Sequence, residues 1–276
     1  MTTDSAGEPA VVDAEPERPL FRFGSHEERT RAITHSLLLV AGAFMVGIVL
    51  VGLSRGLLSG AGLTEESAPV AVNVTSTSVH FASFLLVCVG YVVWQDCRSL
   101  VPAGVPSPRS VAVVLVGFVV LVGSLSALEF LFSQFGLEPA DNAAVEAGQD
   151  SPELYLFMIP IVVLLNAPAE ELLFRGLVQG RFRRAYGVVP GVLAASAVFG
   201  LVHYVALVGS GSQLVYVAIA AAAGLVLGAA YELTRNLLVP IAMHALWNVS
   251  VYALLYLDTF HSACIAIGTS RFRVSS

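Results

Sequence analysis

Residues 153–179 read ELYLFMIPIVVLLNAPAEELLFRGLVQ. The run is long and apolar enough to cross a hydrocarbon core of ~30 Å, which takes about 20 mainly apolar residues. Its second half nevertheless carries Glu170, Glu171 and Arg175. Ionisable groups at the centre of a bilayer cost ~2.5–3.5 kcal/mol each on insertion scales, so they normally face a bundle interior and often mark function. The stretch therefore predicts a membrane helix with one charged, inward face. Working outward, six further apolar stretches lie near residues 35–54, 76–95, 110–135, 188–208, 213–233 and 236–257. Together they predict an all-α fold, a polytopic transmembrane helical bundle of about seven spans. A partial segment around Cys264 to Ile267 would make eight.

Composition points the same way. Of 276 residues, 56% are hydrophobic and 12% charged, and the mean hydropathy is +0.79; a soluble domain carries roughly 25% charged residues. A water-soluble globular protein is disfavoured. All 14 basic residues are arginine, set against 20 acidic ones for a net charge of -6, so no basic footprint for nucleic acid is present. The cysteines Cys88, Cys97 and Cys264 match neither a disulfide framework nor a zinc motif.

Arginine placement sets an expected orientation, because basic residues are retained on the cytoplasmic side. Arg18, Arg22, Arg29 and Arg31 precede the first span, and Arg98 and Arg109 separate the second and third. Arg181, Arg183 and Arg184 follow the fourth, and Arg235 precedes the seventh. These ends alternate and so share one side. The chain then divides into a polar, disordered cytoplasmic tail at 1–32, a three-helix membrane region at 33–135 and an acidic extracytoplasmic loop at 136–152. A membrane core at 153–257 and an extracytoplasmic C-terminal tail at 258–276 complete it. The first 32 residues lack the apolar segment of a cleavable signal, so the first span is expected to act as a signal anchor. Asn73 and Thr75 form a glycosylation sequon in a predicted outer loop.

The intramembrane polar residues concentrate in the second half of the chain: Glu170, Glu171 and Arg175, then His203, then His244 and Asn248. At ~100° per residue, Arg175 shares a face with Glu171 but stands about 140° from Glu170. The natural ion pair is Glu171 with Arg175. Glu170 is left directed elsewhere, able to act on a ligand or a water as a general base. The competing reading is a structural charge cluster that locks helices together. Pro160 and Pro168 predict a kink near the carboxylates. Phe199 with His203, and His244 with Asn248, are spaced four apart on single helical faces. Counted from the inner arginines, all these groups reach similar depth and are able to meet in one cavity. His35, His80 and Glu129 are isolated or near span ends and are expected to serve interhelical hydrogen bonds or interface contacts.

The strings E-E-L-L-F-R at 170–175, F-G-L-V-H at 199–203 and H-A-L-W-N at 244–248 resemble the three motifs of the CPBP family. This is the CAAX-protease and bacteriocin-processing, or Abi, family of intramembrane proteases, which includes the type II CAAX prenyl endopeptidases. The flanks R-G-L-V-Q-G-R-F and T-R-N-L-L-V-P-I agree as well, and the likeness covers roughly residues 150–250. The resemblance implies a membrane-embedded endopeptidase with a cavity open to the cytoplasm. It implies Glu170 as the base that activates water, assisted by His203, with His244 and Asn248 stabilising the oxyanion. Glu171, Arg175 and Phe199 would support that geometry. The family is also described as metal-dependent, which leaves open a zinc ion held by Glu170, His203 and His244. The favoured expectation is a glutamate-activated water with no required cofactor. Expected partners are the lipid bilayer and a membrane-embedded or lipidated peptide or protein substrate. A non-catalytic membrane scaffold and a proton-coupled transporter are the alternatives of a different class.

Overall fold

Ser25 starts the first helix with a reciprocal cap: its hydroxyl accepts from the Glu28 amide at 3.2 Å, and its own amide donates to the Glu28 carboxylate at 2.7 Å. The computed structural model describes residues 19–272, with side chains through residue 259. Helix α1 spans His26–Gly60, α2 Pro69–Trp94 and α3 Pro108–Ser133. A short α4, Ala143–Asp150, follows, and then a composite helix α5, Glu153–Tyr186. Helices α6 (Val188–His203), α7 (Gln213–Thr234) and α8 (Leu238–Phe272) complete the chain. Seven helices among the described residues are long and apolar enough to cross a membrane. The protein is therefore an all-α, integral multi-pass membrane protein.

Boundaries differ from the expected ones in three places. The helix begins at His26, well inside the polar segment expected as a tail over 1–32, because the Ser25 cap satisfies its first amides. Residues 1–18 lie outside the described residues. At the other end α8 continues through the segment 258–272 expected as a tail. The loop at 136–152 is also ordered: β1 (Asp141–Asn142) pairs antiparallel with β2 (Leu207–Val208), with Asp141 opposite Val208. Asn142 caps α4 through its side-chain oxygen, which accepts from the Ala144 amide at 2.9 Å.

Helix α5 is the central post. Within its most apolar window 44% of residues are buried, against 11% in α3, so α5 is enclosed by helices while α3 faces outward. On one side Leu173, Leu177 and Val178 of α5 pack with Leu39 and Ala43 of α1, Phe84 of α2 and Phe199 of α6. A second cluster joins Leu227 and Ala230 of α7 to Val239 and Met243 of α8, with Val113 of α3 against it. These apolar surfaces resemble lipid, so close packing must come from small residues that let backbones approach. Gly200 of α6 is one case between spans: a Cβ there would stand 2.6 Å from the Val217 carbonyl oxygen of α7. Gly200→Ala is expected to destabilise the bundle by about 1–3 kcal/mol through this overpacking. Unfolding in mixed detergent micelles measures it, and an unchanged midpoint would contradict the contact.

At the arginine-rich end, residues 19–24 run alongside the α5–α6 turn. The Arg22 and Gly24 amides donate to the Tyr186 and Ala185 carbonyls at 2.8 and 2.9 Å. Gly187 turns the chain with φ +94°, a backbone conformation that side-chain-bearing residues rarely adopt.

Candidate functional site

The carboxylates sit between two wide-turn stretches of α5. Val162–Asn166 and Leu172–Gln179 are π-helical, and Ala167–Glu171 between them is α-helical. Pro168 has no amide hydrogen, and in a regular helix its ring clashes with the carbonyl four residues earlier. The turn before it widens so that the Ala167 amide reaches the Val162 carbonyl, five residues back. The predicted proline effect thus takes the form of widened turns at the motif. Such π stretches frequently mark functional sites, because they re-aim side chains without ending the helix.

The Glu171 carboxylate serves two partners. One oxygen lies 3.1 Å from Arg175 Nε on the same helix, and the other lies 2.8 Å from His244 Nδ1 on α8. Glu171 and Arg175 are 0% and 1% exposed, so this is a fully enclosed ion pair. An ionised carboxylate only accepts hydrogen bonds, so His244 must donate through Nδ1. Its Nε2 then points away from Glu171, and Glu170 Oε2 stands 3.9 Å from it. Glu170 Oε2 has no protein hydrogen-bond partner. Its other oxygen accepts from Asn166 Nδ2 at 2.8 Å. At 12% side-chain exposure, Glu170 is the more accessible of the two acids.

Asn166 escaped the sequence reading. Its amide donates to Glu170 while its oxygen accepts from Asn248 Nδ2 of α8 at 2.8 Å, so it couples the two residues across helices. The only signal was its position four residues before Glu170, where one helical face continues. An asparagine among apolar residues has many bland roles in a membrane helix, and only the tertiary contact with Asn248 distinguishes this one.

Phe199 joins His203 to the cluster. Its ring lies under the Arg175 guanidinium at 4.4 Å, edge-on to His244 at 6.0 Å and against the His203 ring at 4.6 Å. His203 donates from Nδ1 to the Phe199 carbonyl at 2.7 Å, which leaves its Nε2 as an acceptor. Tyr216 of α7 also stacks against His203, with centroids 6.3 Å apart. Glu170, Glu171, Arg175, His244 and Asn248 therefore form one polar network with Asn166, and His203 reaches it through Phe199. Elsewhere, His35 bonds the Tyr91 hydroxyl, and His80 sits among Phe44, Phe81 and Phe84. Glu129 is exposed.

Among the described residues, no group of three His, Cys, Asp or Glu side chains is placed to hold a metal ion. Nδ1 of each histidine is committed, to Glu171 for His244 and to the Phe199 carbonyl for His203, which leaves each Nε2 free. No curated protein and no solved structure matches the chain. A family model does match: residues 152–250 fit the model described as Rce1-like, type II CAAX prenyl endopeptidase Rce1-like. The matched segment opens at the start of α5 and closes just beyond Asn248, so it contains every member of the polar network. The segment from α5 into α8 is thus similar to the Rce1-like type II CAAX prenyl endopeptidase model, over about a third of the chain.

Proposed function

We propose that the protein is an intramembrane endopeptidase that hydrolyses peptide bonds of membrane-associated or lipidated substrates, with Glu170 activating the water. The observation that carries this reading is the division of labour between the two adjacent acids. Both Glu171 oxygens have a close charged partner, Arg175 at 3.1 Å and His244 at 2.8 Å, whereas Glu170 Oε2 has none nearer than His244 Nε2 at 3.9 Å. A reacting atom about 3 Å from both groups is the geometry that general base and electrophilic donor require.

In this mechanism water is held between Glu170 Oε2 and the free Nε2 of His203. Glu170 takes a proton as the water oxygen bonds to the scissile carbonyl carbon. The carbonyl oxygen becomes an oxyanion, which accepts from Nε2–H of protonated His244 and from the second amide hydrogen of Asn248. Glu171 compensates the imidazolium charge and keeps Nδ1 as the donor that orients the ring. As the C–N bond breaks, Glu170 returns its proton to the leaving amine. The charge changes are met by the chain's own residues, so this reading requires no cofactor. The test is cleavage of a membrane-anchored, lipidated peptide by the purified protein in liposomes, and its loss in Glu170→Gln.

We further infer from the arginine distribution that the N-terminus and the arginine-rich end are cytoplasmic and that the 136–152 loop and the C-terminus are extracytoplasmic. Accessible tags at the N-terminus and in the loop should report opposite sides of the membrane. Labelling of both from one side overturns the orientation.

A further inference from the structure

Two glycines of α5 let the 95–101 turn, which follows α2, lie directly on the helix near its arginine-rich end. A Cβ on Gly176 would stand 2.6 Å from Val101 Cγ1, and one on Gly180 would stand 3.0 Å from Leu100 Cδ2. The Tyr231 hydroxyl of α7 also holds the turn, donating to the Leu100 carbonyl at 2.7 Å. Docked in this way, the turn meets two arginines of α5. Arg184 Nη2 donates to Ser99 Oγ at 2.8 Å, and Arg181 lies over the Tyr91 ring of α2 at 5.0 Å and beside the Cys97 thiol.

The charges at this corner do not balance. Glu232 is shared by Arg183 at 3.7 Å and Arg235 at 3.4 Å, and Glu28 is taken by Arg22 at 2.8 Å. Among the described residues neither Arg181 nor Arg184 has a carboxylate partner, although each stands within electrostatic range of the other. Arg98, next to Ser99, is exposed and has none either, and Asp96 in the same turn pairs with no arginine among the described residues. Like charges three or four residues apart on a helix repel, so an anion from outside the chain would relieve the cluster. Both guanidinium groups can be reached, since Arg181 is half-buried and Arg184 exposed. Their planar forks match phosphate oxygens at about 2.7–2.9 Å.

Lipid-facing side chains adjoin the arginines. Trp94, 77% exposed at the end of α2, meets the Tyr91 ring edge-on at 6.3 Å, and tryptophan favours the membrane–water boundary. Leu38 of α1, 66% exposed, stands one turn along from His35, whose ring bonds the Tyr91 hydroxyl. Charge at the ends of the spans beside apolar surface within them is the layout of a phospholipid. We propose that Arg181 and Arg184 bind the phosphate of an anionic phospholipid, with its acyl chains against Trp94 and Leu38. Ser99 Oγ accepts from Arg184, so its own proton is free to donate to the same phosphate. Basic sites between membrane helices recognise lipid headgroups by this chemistry. The site is separate from the Glu170 network and stands whether or not the protein cleaves peptides.

The test titrates the full chain in detergent with short-chain phosphatidylglycerol or phosphatidylcholine and counts bound lipid by native mass spectrometry. Wild type should hold phosphatidylglycerol at least about tenfold more tightly, because the choline ammonium brings a positive charge to the arginines. Arg181→Gln with Arg184→Gln should abolish that preference. Arg31→Gln with Arg109→Gln, an equal change of charge at the same end, should keep it. A preference that survives the first pair, or is lost equally in the second, overturns the proposal. Two further measurements need no variant, so a double variant that fails to fold still leaves a decision. Equal affinity of wild type for the two lipids overturns the proposal. Inorganic phosphate at matched ionic strength should not displace phosphatidylglycerol; displacement at equal concentration marks a site for the free anion and overturns the lipid assignment. None of these readouts depends on peptide cleavage, so failure here and failure of the endopeptidase reading are separately visible.

Discussion

Glu170→Gln should lower peptide cleavage by about 10²–10⁴-fold, the usual contribution of a positioned general base, with little change in stability. The substitution preserves shape and one of the two contacts: an amide oxygen still accepts from Asn166 Nδ2, which in the native protein lies 2.8 Å from Glu170 Oε1. What changes is the other end. Oε2, unpartnered and 3.9 Å from His244 Nε2, becomes an NH2 group that cannot take a proton. Turnover of a lipidated peptide in liposomes gives the rate, and circular dichroism with a thermal midpoint gives the fold control. Native-like folding with undiminished cleavage would remove Glu170 from the chemistry and favour the scaffold alternative.

Arg175→Met carries the largest expected loss of stability, about 3–5 kcal/mol, because removing one partner of a buried ion pair strands the other charge. The Glu171 carboxylate is 0% exposed and would keep only His244. The stacking of the guanidinium on Phe199 at 4.4 Å disappears too, a contact worth up to about 2 kcal/mol when desolvated. The double variant Arg175→Met with Glu171→Gln removes the stranded charge and should recover part of the loss, giving a coupling energy of about 0.5–3 kcal/mol. Equilibrium unfolding in mixed micelles reads both. A cost for Arg175→Met below about 1 kcal/mol is what an exposed pair would show, and it would contradict the enclosed geometry.

Membrane spans were legible because they answer to a one-dimensional rule. A bilayer needs a minimum length of apolar chain, and each of the seven stretches read from composition corresponds to a helix of sufficient length. The helix ends were less legible, since the Ser25 cap and the onward run of α8 depend on local hydrogen bonding that hydropathy does not register. The Glu171 and Arg175 pair was also legible, because a four-residue separation keeps a common face in both α and π turns. The widened turns around Pro168 were not, as proline predicts a disturbance of the helix without its form.

By itself the sequence determined the all-α membrane architecture, the helix carrying the charges and which acid pairs with Arg175. Each of these follows from spacing along one chain segment. Only the tertiary structure decided that His244 spends Nδ1 on Glu171, that Asn166 ties Glu170 to Asn248, and that His203 is reached through the Phe199 ring. Those contacts cross between helices whose relative rotation and height are set by close packing, at places such as Gly200 against the α7 backbone. Helical periodicity fixes which face a residue occupies, but not which residue of a neighbouring helix stands opposite.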